Sequence, residues 1–414
     1  MKKKCSQARS EADFMKLTKK RPHAYHYSAV ALLLLVLILA ACTGSGSGTV
    51  TINNSGSPTP AATATTASAT PTATATTTPE PTVPLTSIRM LNQTAGWALT
   101  KNAILKTADG GHTWLDVTPA NAPLNAQSSG DFMDGNYAWV ATLQGSTVTI
   151  LRTSDGGVHW QSATFTTQQR GLDRPHFINT QDGWIATLTP QGMFHTDEEI
   201  YQTTDGGQSW TMVATTANAA SGLPAAGNKT GISFMNTTTG WATADIPADY
   251  SWLYKTTDGG KTWHNQPLPV PSGMSSVGEF ITTPPVFFGS TGIMPVLLFV
   301  QHGGIDLYVT NNGGQSWTPT QYTGINSQNV YVVDPQHAWA TTTTASNATV
   351  VYATSNGGKS WQQLSTLPQP VGTLSFIDDL HGWAIGTNTS STPLLWSTSD
   401  GGQSWQSITY QIVH

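Results

Sequence analysis

Outside any repeat, the 414-residue chain gathers its chemically versatile side chains into three short stretches. Positions 168–175 carry Arg170, Asp173 and Arg174, positions 191–200 carry His195, Asp197, Glu198 and Glu199, and positions 244–252 carry Asp245, Asp249, Tyr250 and Trp252. A Pro-rich connection over 265–285 adds Glu279. Carboxylates flanking a sugar act as acid and base on a glycosidic bond. Arginines grip carboxylate groups, and Tyr and Trp offer faces for stacking. Glu198 and Glu199 form a like-charged pair, which raises one pKa if it is buried. Asp197, Glu198, Asp245 and Asp249 supply oxygen ligands of the kind calcium takes, but not in ordered Asp/Asn/Gly spacing, so no metal is expected. The eleven His are scattered, and no Ser-His-Asp set, His-Glu-x-x-His or Gly-rich phosphate loop is present. The expectation is a ligand-binding set of Arg170, Asp173, Arg174, His195, Glu198, Glu199, Asp245, Asp249, Tyr250 and Trp252, with no catalytic residue and no cofactor.

The elements that must position this set are written in a repeat. An octapeptide occurs seven times: TADGGHTW from Thr107, TSDGGVHW from Thr153, TTDGGQSW from Thr203, TTDGGKTW from Thr256, TNNGGQSW from Thr310, TSNGGKSW from Thr354 and TSDGGQSW from Thr398. The starts lie 44 to 54 residues apart, the period of a propeller or solenoid array rather than of independent domains. Ahead of most copies stands a Gly-Trp or Ala-Trp strand, at Trp97, Trp139, Trp184, Trp241, Trp339 and Trp383, degenerate only in the fifth repeat at FGSTGIM. Each repeat reads strand, turn, Gly-Trp strand, loop, strand, octapeptide turn, strand, which is a four-stranded blade.

The octapeptide needs no catalysis to explain it. Its Asp accepts backbone N–H groups across the turn, its Gly pair supplies positive φ, and its Trp plugs the hairpin. Asp109, Asp155, Asp205, Asp258 and Asp400 are therefore read as structural. Asn312 and Asn356 stand in their place twice, as an amide oxygen can and a catalytic carboxylate cannot. The motif resembles the Asp-box, or BNR repeat, of sialidase-like propellers. That resemblance implies an all-β propeller of four-stranded antiparallel blades, with the boxes on one face and ligands on the other; sialidases have six blades, whereas the seven repeats here make a seven-bladed β-propeller. A sialidase-like site also implies three converging Arg, a Tyr–Glu nucleophile and an Arg-Ile-Pro motif; the chain has only Arg89, Arg152, Arg170 and Arg174 in this region, and Leu172-Asp173-Arg174-Pro175 does not match. In blade number and in pairing each box with a Gly-Trp-Ala strand, the chain is also similar to the photosystem II assembly and stability factors. This second resemblance implies a non-catalytic scaffold for a membrane-protein client, but through a basic face for which this chain has too few Arg.

Composition narrows the rest. Charged residues make up 10% of the chain, too few for a coiled coil or a nucleic-acid binder. Lys19, Lys20 and Arg21 precede an apolar run ending Leu39-Ala40-Ala41-Cys42, which resembles a bacterial lipobox. Residues 1–41 are thus expected to be a lipoprotein signal peptide, or a shorter one if translation starts at Met15, with Cys42 lipidated. Residues 42–85, almost wholly Gly, Ser, Thr, Ala and Pro, are expected to be a disordered tether, and 86–414 the propeller. From Cys42 onward ten Lys and Arg face 21 Asp and Glu, a formal charge of −11, so lipid rather than charge must hold the protein to a membrane.

The expected protein is a monomer on the extracytoplasmic side of the cell membrane. It would bind a protein or a cell-surface glycan, and no nucleic acid, without catalysis. The alternative is a glycoside hydrolase or lyase acting on an extracellular polysaccharide, and a third reading is a purely structural surface protein.

Overall fold

A computed structural model describes residues 83–274, 277–299, 303–327, 329–386 and 394–414. The expected lipobox Cys42 and the tether to residue 82 lie outside the described residues. The chain forms seven blades in sequence order, over 87–116, 129–166, 171–215, 228–265, 286–319, 329–367 and 371–408. Blade 1 shows the plan: Ser87–Met90, Gly96–Leu99, Ile104–Thr107 and Thr113–Asp116 pair antiparallel in that order.

Two departures from uniform four-stranded blades bear on the site. Phe280–Thr282, cut from the Pro-rich connection, pairs with Gly240–Ile246 of blade 4 and with Thr291–Leu298 of blade 5, welding the two into one nine-stranded sheet. In blade 3 the central strands Gly183–Gly192 and His195–Thr203 overrun their neighbours and form a long hairpin.

The ring closes through the C-terminus. Gln411–Val413 runs parallel to Thr113–Asp116 as a fifth strand on blade 1, and Tyr410 donates its hydroxyl to the Val83 carbonyl at 2.8 Å. Leu85, Ile88 and Met90 of blade 1 share a buried cluster with Trp383, Leu395 and Ile408 of blade 7.

Each box is a hub around its first residue as well as its Asp. In all seven copies the Thr hydroxyl accepts the N–H of the second Gly at 2.9–3.0 Å. The same hydroxyl donates to the Asp or Asn Oδ1, as Thr107 does to Asp109 at 2.9 Å. Asp109 Oδ1 also accepts the Thr113 N–H. Asn312 and Asn356 keep the backbone contacts and reverse one side-chain bond. Asp205 accepts from the Ser209 hydroxyl, whereas Asn312 donates its amide to Ser316, which a hydroxyl tolerates because it can play either part.

The Gly-Trp strand explains the joints between blades. Trp184 of blade 3 stacks on Phe234 of blade 4 at 3.8 Å, and Phe234 meets box residue Trp263 edge-on. Trp139 repeats this on Phe177, and Trp339 repeats it on Phe376 of blade 7. The Phe ring lies over the Gly of its own blade, where a Cβ on Gly183, Gly240 or Gly382 would come within 2.6 Å of it. The indole N–H then reaches the first box Gly of the next blade: Trp139 to Gly206, Trp184 to Gly259, Trp339 to Gly401 and Trp383 to Gly110, all at 2.8–3.0 Å.

Nearer the axis, in five blades the residue before the Phe position laces the inner strand to a neighbouring blade. Asp131 accepts the Phe177 N–H, the His176 ring is bonded to the Phe234 carbonyl, Ser233 donates to Pro285, Tyr331 donates to Phe376, and Ser375 accepts from Met90. Trp252 and Trp396, which fall outside both repeat motifs, are also buried in blade cores.

Candidate functional site

The strand directions fix the faces. Gly183 pairs with Thr203 at the box end of blade 3, and Gly192 pairs with His195 at the far end, so the long hairpin projects from the face opposite the boxes. The chain linking blades 3 and 4 folds back over it. Thr196 N–H bonds the Ala225 carbonyl, Gly227 N–H bonds the Phe194 carbonyl, and Lys229 Nζ caps the carbonyls of Pro224, Ala226 and Gly227 at 2.7–3.4 Å. This segment is a strap that seals the seam between the two blades.

Glu198 lies in that seam and is 1% exposed, with its Oε2 unpartnered. Burial pushes its carboxyl up to about 7, against the pull of Lys229 and with a further push from Asp173. Lys229 is drawn down to about 8 by the same burial, opposed by Glu198 and Asp197, and its ammonium sits 4.2 Å from the centre of the Trp252 ring. Burial also raises Asp173, whose Oδ1 accepts the Arg174 N–H. The structure thus brings Glu198 and Trp252 of the expected set to Lys229, with Asp173 beside Glu198.

The other expected residues separate. Neighbours on a strand face opposite ways, so Glu199 points toward blade 2, where it accepts from the Thr167 hydroxyl and the Tyr201 hydroxyl, both at 2.7 Å, and from Gln169. The rise at Glu198 therefore owes nothing to its sequence neighbour. Asp249 caps the N–H groups of Val277 and Gly278. Asp245 accepts from Asn228 and leaves Oδ1 unpartnered, beside a Glu279 carboxyl that burial and Asp245 raise together. Arg170, His195 and Tyr250 stand exposed on this face, His195 within 3.4 Å of Asp197, while Arg174 is exposed half-way along the inner strand of blade 3.

Lys229 was missed by motif reasoning. Its signal was available: cations are scarce, and Lys229 is one of few that occupy neither a box nor the strand position just before one. Among the described residues no cluster of three or more His, Cys, Asp and Glu could hold a metal.

Fold and boxes define a seven-bladed Asp-box propeller. A family model described as "Photosynthesis system II assembly factor YCF48" matches residues 74–223 and 129–278. The chain is therefore a BNR-type propeller similar, over these residues, to the photosystem II assembly factors. It is 30% identical over 158 residues to the "Photosystem II assembly lipoprotein Ycf48" of Synechococcus sp. (strain CC9902), a stretch covering 36% of this chain and 38% of that protein. The chain thus matches about two fifths of the length of this curated relative. Among solved structures it resembles the GH74 xyloglucanase from Xanthomonas campestris, with a TM-score of 0.53, 15% identity, and cover of 78% of this chain and 53% of that one. It also resembles the oligogalacturonate lyase of Vibrio parahaemolyticus, with a TM-score of 0.53, 9% identity, and cover of 77% and 90%. At these identities both show the fold alone.

Proposed function

We propose that the protein is a non-catalytic scaffold that binds a protein partner through the face opposite its boxes, on blades 3 and 4. The observation carrying this reading is an apolar and cationic rim around a sealed interior. Met193 at the hairpin tip is 92% exposed and Tyr250 59%; Arg170 is exposed beside Thr189 at the same end of blade 3, and Arg174 is exposed farther along its inner strand. Large apolar side chains beside Arg are the composition of binding hot spots. Several of the carboxylates that acid–base chemistry would draw on are held inside the fold: Glu199 by Thr167 and Tyr201, Asp249 by a backbone turn, and Glu198 in the buried seam beneath the strap. The printed name of the Synechococcus relative, an assembly lipoprotein, supports an assembly role and a lipid anchor at Cys42. In this reading residues 1–41 are a signal peptide, 42–85 a tether, and the propeller stands outside the cytoplasm as a monomer.

Capture from envelope extracts with the full chain in detergent tests the reading. Wild type should retain one partner that the double variant Arg170→Ala/Arg174→Ala releases. Turnover of a polysaccharide that disappears in Glu198→Gln would instead establish the glycosidase or lyase alternative.

A further inference from the structure

The Trp latch is missing at three joints, and a groove opens at two of them. Between blades 1 and 2, Trp97 bonds the Asp134 carbonyl instead of a box Gly, and Lys106 Nζ reaches the Gly156 carbonyl in its stead at 2.9 Å. Trp97 then sits 5.4 Å from Phe132, against 3.7–3.8 Å at the latched joints of Trp139, Trp184 and Trp339. Between blades 4 and 5, Lys255 and Gln266 take the Gly314 carbonyl. Between blades 5 and 6, Thr320 reaches the Gly358 carbonyl at 3.3 Å.

The two grooves occupy equivalent places beside paired boxes but differ in chemistry. The groove at blades 5 and 6, about 730 Å³, runs between Asn312 and Asn356, the two boxes without an acid, and holds Lys359. The groove at blades 1 and 2, about 1030 Å³, runs between Asp109 and Asp155 with Asp116 on its wall. Its apolar lining is Leu115, Val117, Val158 and Trp160. Leu115 is 48% exposed and Val158 74%, although both belong to one depression where apolar area is costly to leave in water. The N–H and ring of His159 hold the Asp155 carboxyl down at about 2, so this wall stays negative at any physiological pH. Lys106, the one lysine lining the groove, bonds the Gly135 and Gly156 carbonyls with its charge near Asp155, and His414 Nδ1 lies 3.2 Å from Asp116, so the walls set three carboxylates against one ammonium and the imidazoles of His159 and His414.

We propose that this groove is a second docking surface, on the box face, for an extended peptide segment of a protein partner that alternates apolar and basic side chains. Apolar side chains would cover Leu115 and Val158, while Lys or Arg would meet Asp109, Asp116 and Asp155 along the walls. The surface is independent of the blade 3 and 4 rim, so either can fail without the other.

Fluorescence anisotropy of the full chain with a labelled peptide alternating leucine and lysine tests it, with two control peptides, leucine with glutamate and serine with lysine. The leucine–lysine peptide should bind at least about tenfold more tightly than either control, and a photoreactive version should crosslink within 155–160. Leu115→Lys with Val158→Lys, both at exposed positions, should lower affinity by about tenfold or more, whereas Lys359→Glu in the opposite groove should not. Equal binding of the controls, or unchanged affinity in the double variant with its unfolding midpoint preserved, would overturn the proposal. So would peptide-independent dimerisation abolished by the double variant, which would give the groove to a second copy of the chain.

Discussion

The indole Nε1 of Trp383 donates to the carbonyl of Gly110 at 2.9 Å, joining the last Gly-Trp strand to the first box across 273 residues of chain. It is the same latch that Trp139, Trp184 and Trp339 make between consecutive blades, so the seam where the ring closes is built like an ordinary joint and is reinforced by the parallel strand Gln411–Val413. Trp383→Phe keeps most of the ring volume and removes the donor. It should cost about 1–3 kcal/mol, the price of an unsatisfied carbonyl, read as a lower urea midpoint at unchanged slope.

The box depends on its Thr more than on whether its next anchor carries charge. Thr310→Val strands the N–H groups of Asn312 and Gly314 and should destabilise by about 1–3 kcal/mol. Asn312→Asp should stay within about 0.5 kcal/mol, because Ser316 can turn its hydroxyl and donate. Chemical unfolding of the two variants ranks them.

Glu198 predicts a pH dependence of definite sign. Its carboxyl titrates near 7 in the fold and at the ordinary lower value when unfolded, so the folded state holds the extra proton between those values. Stability therefore falls as pH rises from about 4.5 to about 7 and the penalty is constant above that. Relative to Glu198→Gln, wild type should lose ground across this window, measured by unfolding midpoints from pH 4 to 7, below the range in which Lys229 titrates.

His176 acts in the opposite sense. Burial lowers its pKa, with Asp131 opposing, and its ring is bonded to the Phe234 carbonyl. The unfolded chain takes up the proton first, so stability due to this group is lost as pH falls below about 6.5. His176→Gln should flatten that decline while the slope attributed to Glu198 persists.

The boxes and Gly-Trp strands made the blade count legible because each needs a fixed residue at a fixed place: Gly for positive φ, as at Gly110 with φ 78° and Gly111 with φ 98°, and a small residue under a Phe ring. The inner lacing was not legible. Asp131, His176, Ser233, Tyr331 and Ser375 share only the position before a Phe-type residue, and any side chain that can bond a neighbouring backbone does the work. In the candidate site, the sequence could not show that Glu198 and Glu199 part to opposite sides of a strand. Nor could it show that the 216–227 linker folds back as a strap, since that rests on backbone bonds between residues about 30 apart, such as Gly227 to Phe194.

In-cell photocrosslinking from a photoreactive residue at Tyr250 tests the central claim most directly, since this side chain is exposed on the proposed binding face. The scaffold reading predicts a discrete protein adduct that disappears when Arg170→Ala and Arg174→Ala are added. The absence of any protein adduct from this position, in cells where the full chain is folded and abundant, would contradict it.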